Sequence, residues 1–338
     1  MKYGRIAAAL ALVCALTLAI YTVGNNVSSA PDFPTRQILP TDPEITVEIP
    51  SGASGSDIGA LLLKEEVIKS SLAYFRIAVA DKRSQKVSPG AHRLNREISA
   101  LQALEQLLDP ARIPNLLKIF EGEWKSEIVD SLITYGFNSA QISNAFKSVA
   151  LPDGFTSAEG LLFPAQYSFP SGTNAGKVLQ SLIDRFQQEQ AGREILAGRG
   201  DFSALSLLTI ASIVQAEGNV ADFGKIARVI YNRLKISMPL QMDSTINYAK
   251  KARGSIFVST NATQIKSPYN TYKRYGLPPT PIGNPGADAM RATLNPPPGD
   301  WLYFITVAPG DTRFSTSHDE FLQWKSLYQK NRKAGAFE

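Results

Sequence analysis

The sequence predicts an α+β protein: a small βα module, then a larger, mainly helical domain with β extensions, behind a single N-terminal transmembrane helix. Three observations predict it. Residues 6 to 23, IAAALALVCALTLAIYTV, carry no charge. A strand, glycine turn and helix pattern at 47–62 recurs at 117–132. Beyond residue 200 helical periodicity dominates until a strand pair near the C-terminus. A chain of 338 residues with 44% hydrophobic and 19% charged residues has the material for two folded domains and a tail. Its net charge of +5 is mildly basic without a Lys/Arg stripe, so nucleic acid is not expected as a partner.

The uncharged run is about the length of one membrane span. Lys2 and Arg5 precede it, so residues 1–5 are expected to stay in the cytoplasm and the bulk of the chain to lie outside. A signal peptide cut after Ala30 fits less well, because the apolar run is long and VSSA is not an Ala-x-Ala flank. Cys14, the lone cysteine, falls inside this run, so the exported part has no disulfide. Residues 24–43, rich in Pro, Ser and Asn, read as a linker.

Residues 44–150 form the expected small module. EITVEIPSG alternates like a strand, and a helix carrying Ile58, Leu61, Leu62 and Val67 follows, with Ser56 as its N-cap. VSPGAHRL (87–94) reads as a strand, with His92 half-exposed on it, and SALQALEQLL (99–108) as a helix. LKIFEGEWKSEIVDSL (117–132) overlays VEIPSGASGSDIGALL (47–62), pairing Gly122 with Gly52 and Ile128 with Ile58. The two copies suggest one module built from related halves.

Residues 151–338 form the expected second domain. EGLLFPAQYSFPSG (159–172) is too irregular for a regular element, and KVLQSLIDRFQQE (177–189) is an amphipathic helix. Ser203 can cap a helix from Ala204 to about Glu217, with Gly218 as a left-handed stop. Residues 223–234 form a further helix, on which Arg233 shares the helical spacing of Ile226, Val229 and Ile230. MPLQMDSTINY reads as extended, with Met238, Leu240 and Met242 on one side and Gln241, Asp243 and Thr245 on the other. SPYNTY and GLPPTPIGNPG are loops offering Tyr269, Asn270 and Tyr272. WLYFITVA and TRFST form the strand pair, and His318 begins a closing helix.

Two histidines and no exported cysteine leave no zinc-ligand cluster, and neither a phosphate-cradling glycine loop nor a supported Ser-His-Asp set occurs. No cofactor or metal is expected. What remains is Glu217, placed directly behind the buried-looking run LSLLTIASIV. Low-dielectric surroundings and the negative end of the helix dipole both disfavour its anion, so its pKa should rise. A carboxylic acid kept protonated near neutral pH can protonate a leaving oxygen in glycosidic bond cleavage. On this helix alone, a solvent-facing Glu past the helix end fits equally well. The polar residues downstream tip the balance, because tyrosines and amides are the usual partners of sugar hydroxyl and acetamido groups.

ASIVQAEG, NRL, MPLQMDST, SPYNTY and GLPPTPIGNPG occur in the order and spacing of the endolytic murein transglycosylases, and the chain resembles this MltG/YceG-like family over nearly its whole length. The resemblance implies a lysozyme-like catalytic domain behind a LysM-like glycan-binding module. It implies an enzyme cutting MurNAc–GlcNAc bonds within nascent peptidoglycan strands at the outer face of the cytoplasmic membrane, leaving 1,6-anhydro-MurNAc ends and terminating elongation. Peptidoglycan synthases are then expected partners. The family's catalytic Glu falls on Glu217, while Gln215 stands where relatives often carry a second acid. Gln241, Asp243, Thr245, Tyr269, Asn270 and Tyr272 are the expected substrate-binding residues. Two positions depart from the family pattern: Ala165-Gln166 replaces Asp-Thr, and Thr312 replaces a histidine two residues before Phe314. Two other readings compete: a lysozyme-like hydrolase using Asp243 as second carboxylate, and a wall-binding scaffold without catalysis.

Overall fold

The computed structural model describes residues 30–253 and 261–337. They fold into two compact units. The first comprises the described residues up to Leu116 with Ser168–Gly172, and the second comprises Leu117–Tyr167 and the described residues from Thr173.

In the first unit, β1 (Glu44–Ile49) pairs antiparallel with β2 (Gly90–Asn95), Ile49 opposite Gly90 and Glu44 opposite Asn95. The alternation of EITVEI turns Val47 and Ile49 inward. Between the strands run α1 (Gly55–Lys64) and α2 (Ser71–Ala80), and α3 (Ala100–Leu108) follows β2. Leu62, Ile68, Tyr74, Leu94, Ile98 and Leu104 fill the core between them. Ser54, not Ser56, caps α1, because its side chain and that of Asp57 each bond the other's backbone N–H in a capping box. His92 is fully buried rather than half-exposed: its Nε2 lies 2.8 Å from the Ser88 carbonyl, and the burial depresses its pKa.

The second unit is mainly helical. The short strands β3 (Leu117–Lys118) and β4 (Gln166–Tyr167) pair with each other. Around them stand α4 (Lys125–Tyr135), α5 (Ser139–Ser148), α6 (Ala175–Gln188) and α7 (Gln190–Leu196). Then come α8 (Ala204–Glu217), α9 (Phe223–Lys235), α10 (Asp243–Lys250) and α11 (Ala287–Leu294). The hairpin of β5 (Tyr303–Ala308) and β6 (Asp311–Ser315) and the closing α12 (His318–Lys333) complete it. The core gathers Ile210, Ile213, Val214, Phe223, Ile226, Ile230 and Leu240. The two sequence copies match locally, since Gly52 and Gly122 take φ of +77° and +78° before their helices. Yet the second copy belongs to the second unit, so the pair does not build one module.

Two expectations are corrected. The architecture is helical with three two-stranded antiparallel sheets among the described residues, not the expected α+β fold of a small βα module and a mainly helical domain with β extensions. The expected anchor at residues 6–23 lies outside the described residues, and among those described no helix is long and apolar enough to cross a membrane. The single-pass membrane assignment is accordingly set aside.

Candidate active site

The α8 sequence is apolar nearly all round, and Leu207 to Val214 are all buried. Ser203 caps its start by accepting from the Ser206 N–H. Glu217 is its last residue. Gly218 then continues in an extended conformation at φ −156°, so the left-handed stop expected there does not form. What a glycine permits here is close packing, because a Cβ on Gly218 would sit 2.3 Å from Ile226 Cδ1 of α9.

Glu217 is half-buried by surface area yet densely surrounded by protein. Its Oε1 accepts from the Ser244 N–H at 3.0 Å. That N–H belongs to the first turn of α10, which has no side-chain cap of its own at Met242. The first-turn N–H groups of a helix lack intrahelical partners, so the α8 carboxylate caps α10 from outside. Burial raises the Glu217 pKa most. Contact with Ser244 opposes the rise, the Asp243 charge adds to it, and the Arg233 charge opposes it. The acid thus sits between the negative end of one helix and the positive end of another.

Asp243 lies beside it at the start of α10 and accepts from the Tyr272 hydroxyl. Burial raises the Asp243 pKa, while Tyr272 and Lys325 pull it down. Arg233, only 6% exposed, reaches this region from α9. Its Nε donates to the Leu302 carbonyl at 2.7 Å, one terminal nitrogen donates to the Leu240 carbonyl, and its guanidinium lies over the Tyr303 ring. Arg233 therefore ties the chain just before α10 to the start of β5. Its own pKa is lowered, by burial above all.

Of the residues expected to bind substrate, the structure brings Asp243 and Tyr272 to Glu217. The others are placed differently. Gln241 is exposed, but at φ +48° it is left-handed, with its N–H on the Thr271 carbonyl at 3.0 Å. That turn ends the expected extended segment, because a left-handed residue breaks a two-residue alternation and α10 starts two positions later. Thr245 is fully buried, its hydroxyl bonded to the Met242 carbonyl at 2.7 Å and to Thr271 Oγ1 at 2.9 Å. Asn270, also fully buried, donates to the carbonyls of Thr263 and Ile265 and accepts from the Tyr272 N–H. It shapes the loop that presents Tyr272. Tyr269 bonds Thr280 through its hydroxyl at 2.7 Å and packs its ring on Tyr248. Gln215 receives the Gly286 N–H at 2.9 Å, and Ser212 receives that of Ile282 at 3.0 Å, which fastens the proline loop to α8.

Sequence reasoning missed Ser244, Arg233 and Glu159. Arg233 had a signal: a cation at the helical spacing of an apolar face is buried, and a buried cation needs partners. Ser244 reaches Glu217 with its backbone N–H, a contact that no local sequence pattern marks.

One stability consequence follows from the raised Glu217 pKa. The folded state holds a proton on Glu217 that the unfolded chain releases near its ordinary value of about 4.3. Stability from this group is therefore lost as pH rises from that value toward the folded pKa. A Glu217→Gln variant keeps an oxygen acceptor for the Ser244 N–H without the charge. We expect its melting temperature to exceed that of the parent at pH about 8, with the difference closing near pH about 4. Melting curves across that range check it, and a constant difference would contradict it.

The YceG-like family model matches residues 47–326 of the chain. An endolytic murein transglycosylase of Bacillus subtilis (strain 168) is 31% identical over 314 residues, covering 86% of each chain. One from Streptococcus pneumoniae serotype 2 (strain D39) is 28% identical over 324 residues, covering 84% of this chain and 59% of its own. The crystal structure of a yceG-like protein from Listeria monocytogenes superposes with a TM-score of 0.55 at 28% identity, covering 84% of this chain and 99% of that one.

Proposed function

The chain belongs to the YceG-like family, and on that footing we propose that Glu217 is the proton-transferring acid with which it works as an endolytic murein transglycosylase. The observation that carries this reading is the site itself: a carboxyl at the end of a buried helix, with a raised pKa and one N–H donor on Oε1.

Glu217 first protonates the glycosidic oxygen between MurNAc and GlcNAc as the C1–O bond breaks, and positive charge develops at C1. The carboxylate so formed is what the Ser244 N–H and the Arg233 charge favour. It then takes the proton from the C6 hydroxyl of the same MurNAc, whose oxygen closes on C1 to give the 1,6-anhydro ring. The proton is returned, no water is consumed, and one residue serves as acid and then base. Asp243, held by Tyr272, would orient sugar hydroxyls. Its negative charge adds to the rise that burial gives the Glu217 pKa. Cutting inside a strand shortens the glycan, which fits a role in ending strand growth. The first unit would give the enzyme a second grip on glycan.

Mass spectrometry of digested glycan strands tests this. Anhydro ends are expected, one water lighter than the reducing ends a hydrolase leaves. An Asp243→Asn variant separates the readings again. The transglycosylase should keep its product type with turnover reduced about tenfold, less than the roughly 10²-fold at which a general acid–base contribution begins, because Asp243 carries no proton in this mechanism. A hydrolase needing two carboxylates would lose nearly all activity. Reducing ends from the parent enzyme would sink the proposal.

A further inference from the structure

Glu159 lies in the stretch EGLLFPAQYSF, and the cleavage chemistry at Glu217 leaves it unused. Its carboxyl is 4% exposed, and three donors converge on it. Oε1 accepts from the Lys125 N–H at 2.9 Å and from Asn284 Nδ2 at 3.3 Å, and Oε2 accepts from the Tyr248 hydroxyl at 2.8 Å. A carboxylate this deep is costly unless such donors hold it, so its place in the fold asks for a purpose.

Each donor comes from a segment bordering the site. Lys125 opens α4 and follows Trp124, whose ring meets that of Tyr248 edge-on at 5.5 Å. Asn284 belongs to the proline loop fastened to α8, and its Oδ1 accepts from the Leu162 N–H. Tyr248 stands on α10, four residues after Ser244, so the two share one face of that helix. With eight residues, α10 is only about 12 Å long. It is held at its first turn by Glu217 and one turn later by Glu159.

We propose that Glu159 is a positioning residue that anchors α10 through Tyr248 and thereby keeps the Ser244 N–H on Glu217. This rests on Glu217 being the acid. The groups facing Glu217 are Asp243 and Ser244 on α10, Arg233 on α9 and the Tyr272 hydroxyl. Of these, Asp243 and Ser244 move with α10. If α10 loses its anchor, the N–H that favours the Glu217 anion drifts away while Arg233 stays in place. The first step, in which Glu217 gives its proton to the leaving oxygen, is slowed, and the alkaline limb of the activity profile moves to higher pH, because the lost Ser244 contact outweighs the Asp243 charge that moves with it.

The test is steady-state cleavage of purified glycan strands across pH by Glu159→Ala, Glu159→Gln and Tyr248→Phe, with melting temperatures for each. Glu159→Ala should lower kcat about tenfold to a hundredfold, as expected when a catalytic group is misplaced by about 1 Å, with little change in KM. Glu159→Gln, which retains an acceptor for the Lys125 N–H and a polar partner for Tyr248, should recover most of that loss. Tyr248→Phe should reproduce the loss and the alkaline shift, and adding it to the Glu159 change should cost nothing further, because both break the same link. If Glu159→Ala does not fold, Tyr248→Phe alone carries the test, through its own loss in kcat and its alkaline shift. Folded variants with parental kcat and pH profile, or losses that multiply in the double variant, overturn the proposal. A Glu217→Gln enzyme that still cleaves would instead overturn the reading on which it rests.

Discussion

Glu217→Gln is expected to lose glycan cleavage by about 10²- to 10⁴-fold in kcat, the range that a positioned general acid–base contributes. The residue acts twice in the cycle, so the upper half of that range is the expected outcome. An amide keeps the shape and can still accept the Ser244 N–H, but it has no proton of suitable acidity for the leaving oxygen and no basic oxygen for the C6 hydroxyl. Binding of glycan strands should survive, since Asp243 and Tyr272 are untouched. Strand sedimentation with the variant, beside a cleavage assay, checks both halves. Retained cleavage at more than about a tenth of the parental rate would remove Glu217 from the mechanism, because that falls below the least a general acid contributes.

Arg233→Met is expected to have the next largest effect, on stability and on pH dependence together. Methionine fills much of the volume but leaves the Leu240 and Leu302 carbonyls without the guanidinium they now bind. Each unsatisfied acceptor costs about 1–3 kcal/mol, so for the two a loss of about 2–6 kcal/mol is expected in denaturant unfolding. The sign of the pH effect follows from the charge. Arg233 favours the Glu217 anion and so lowers its pKa. Without that charge the acid stays protonated to higher pH, and the alkaline limb of kcat/KM moves upward. Arg233→Lys restores the charge but not the fork that spans two carbonyls, so it should correct the pH profile more than the stability. An unchanged alkaline limb in Arg233→Met would show that the charge does not reach Glu217.

How much of this was legible depends on the range of the physics. The span of α8, its cap at Ser203 and its end at Glu217 came from local rules: an apolar run, a capping serine, a carboxylate and a glycine. The same rules found the β5–β6 hairpin and α12, where alternation and a histidine after Ser317 marked the ends. They misplaced the segment after Leu240, because the left-handed turn at Gln241 is held by Thr271, thirty residues on. They also assigned Thr245 and Asn270 to the substrate, since nothing local reveals that a hydroxyl or amide will be consumed by internal carbonyls.

Sequence by itself singled out the proposed acid, because a charge directly behind a helix too apolar to be exposed is a local fact about composition and period, and the polar motifs downstream tipped the balance. It also determined the membership that the family match over residues 47–326 confirms. Only the tertiary structure decided what the acid touches. Ser244, Arg233 and Glu159 meet around α10 from separate stretches of chain. A pKa depends on charges and donors within a few ångströms, whatever their separation in sequence. That is why ASIVQAEG could point to the proposed proton donor while its poise had to wait for the fold.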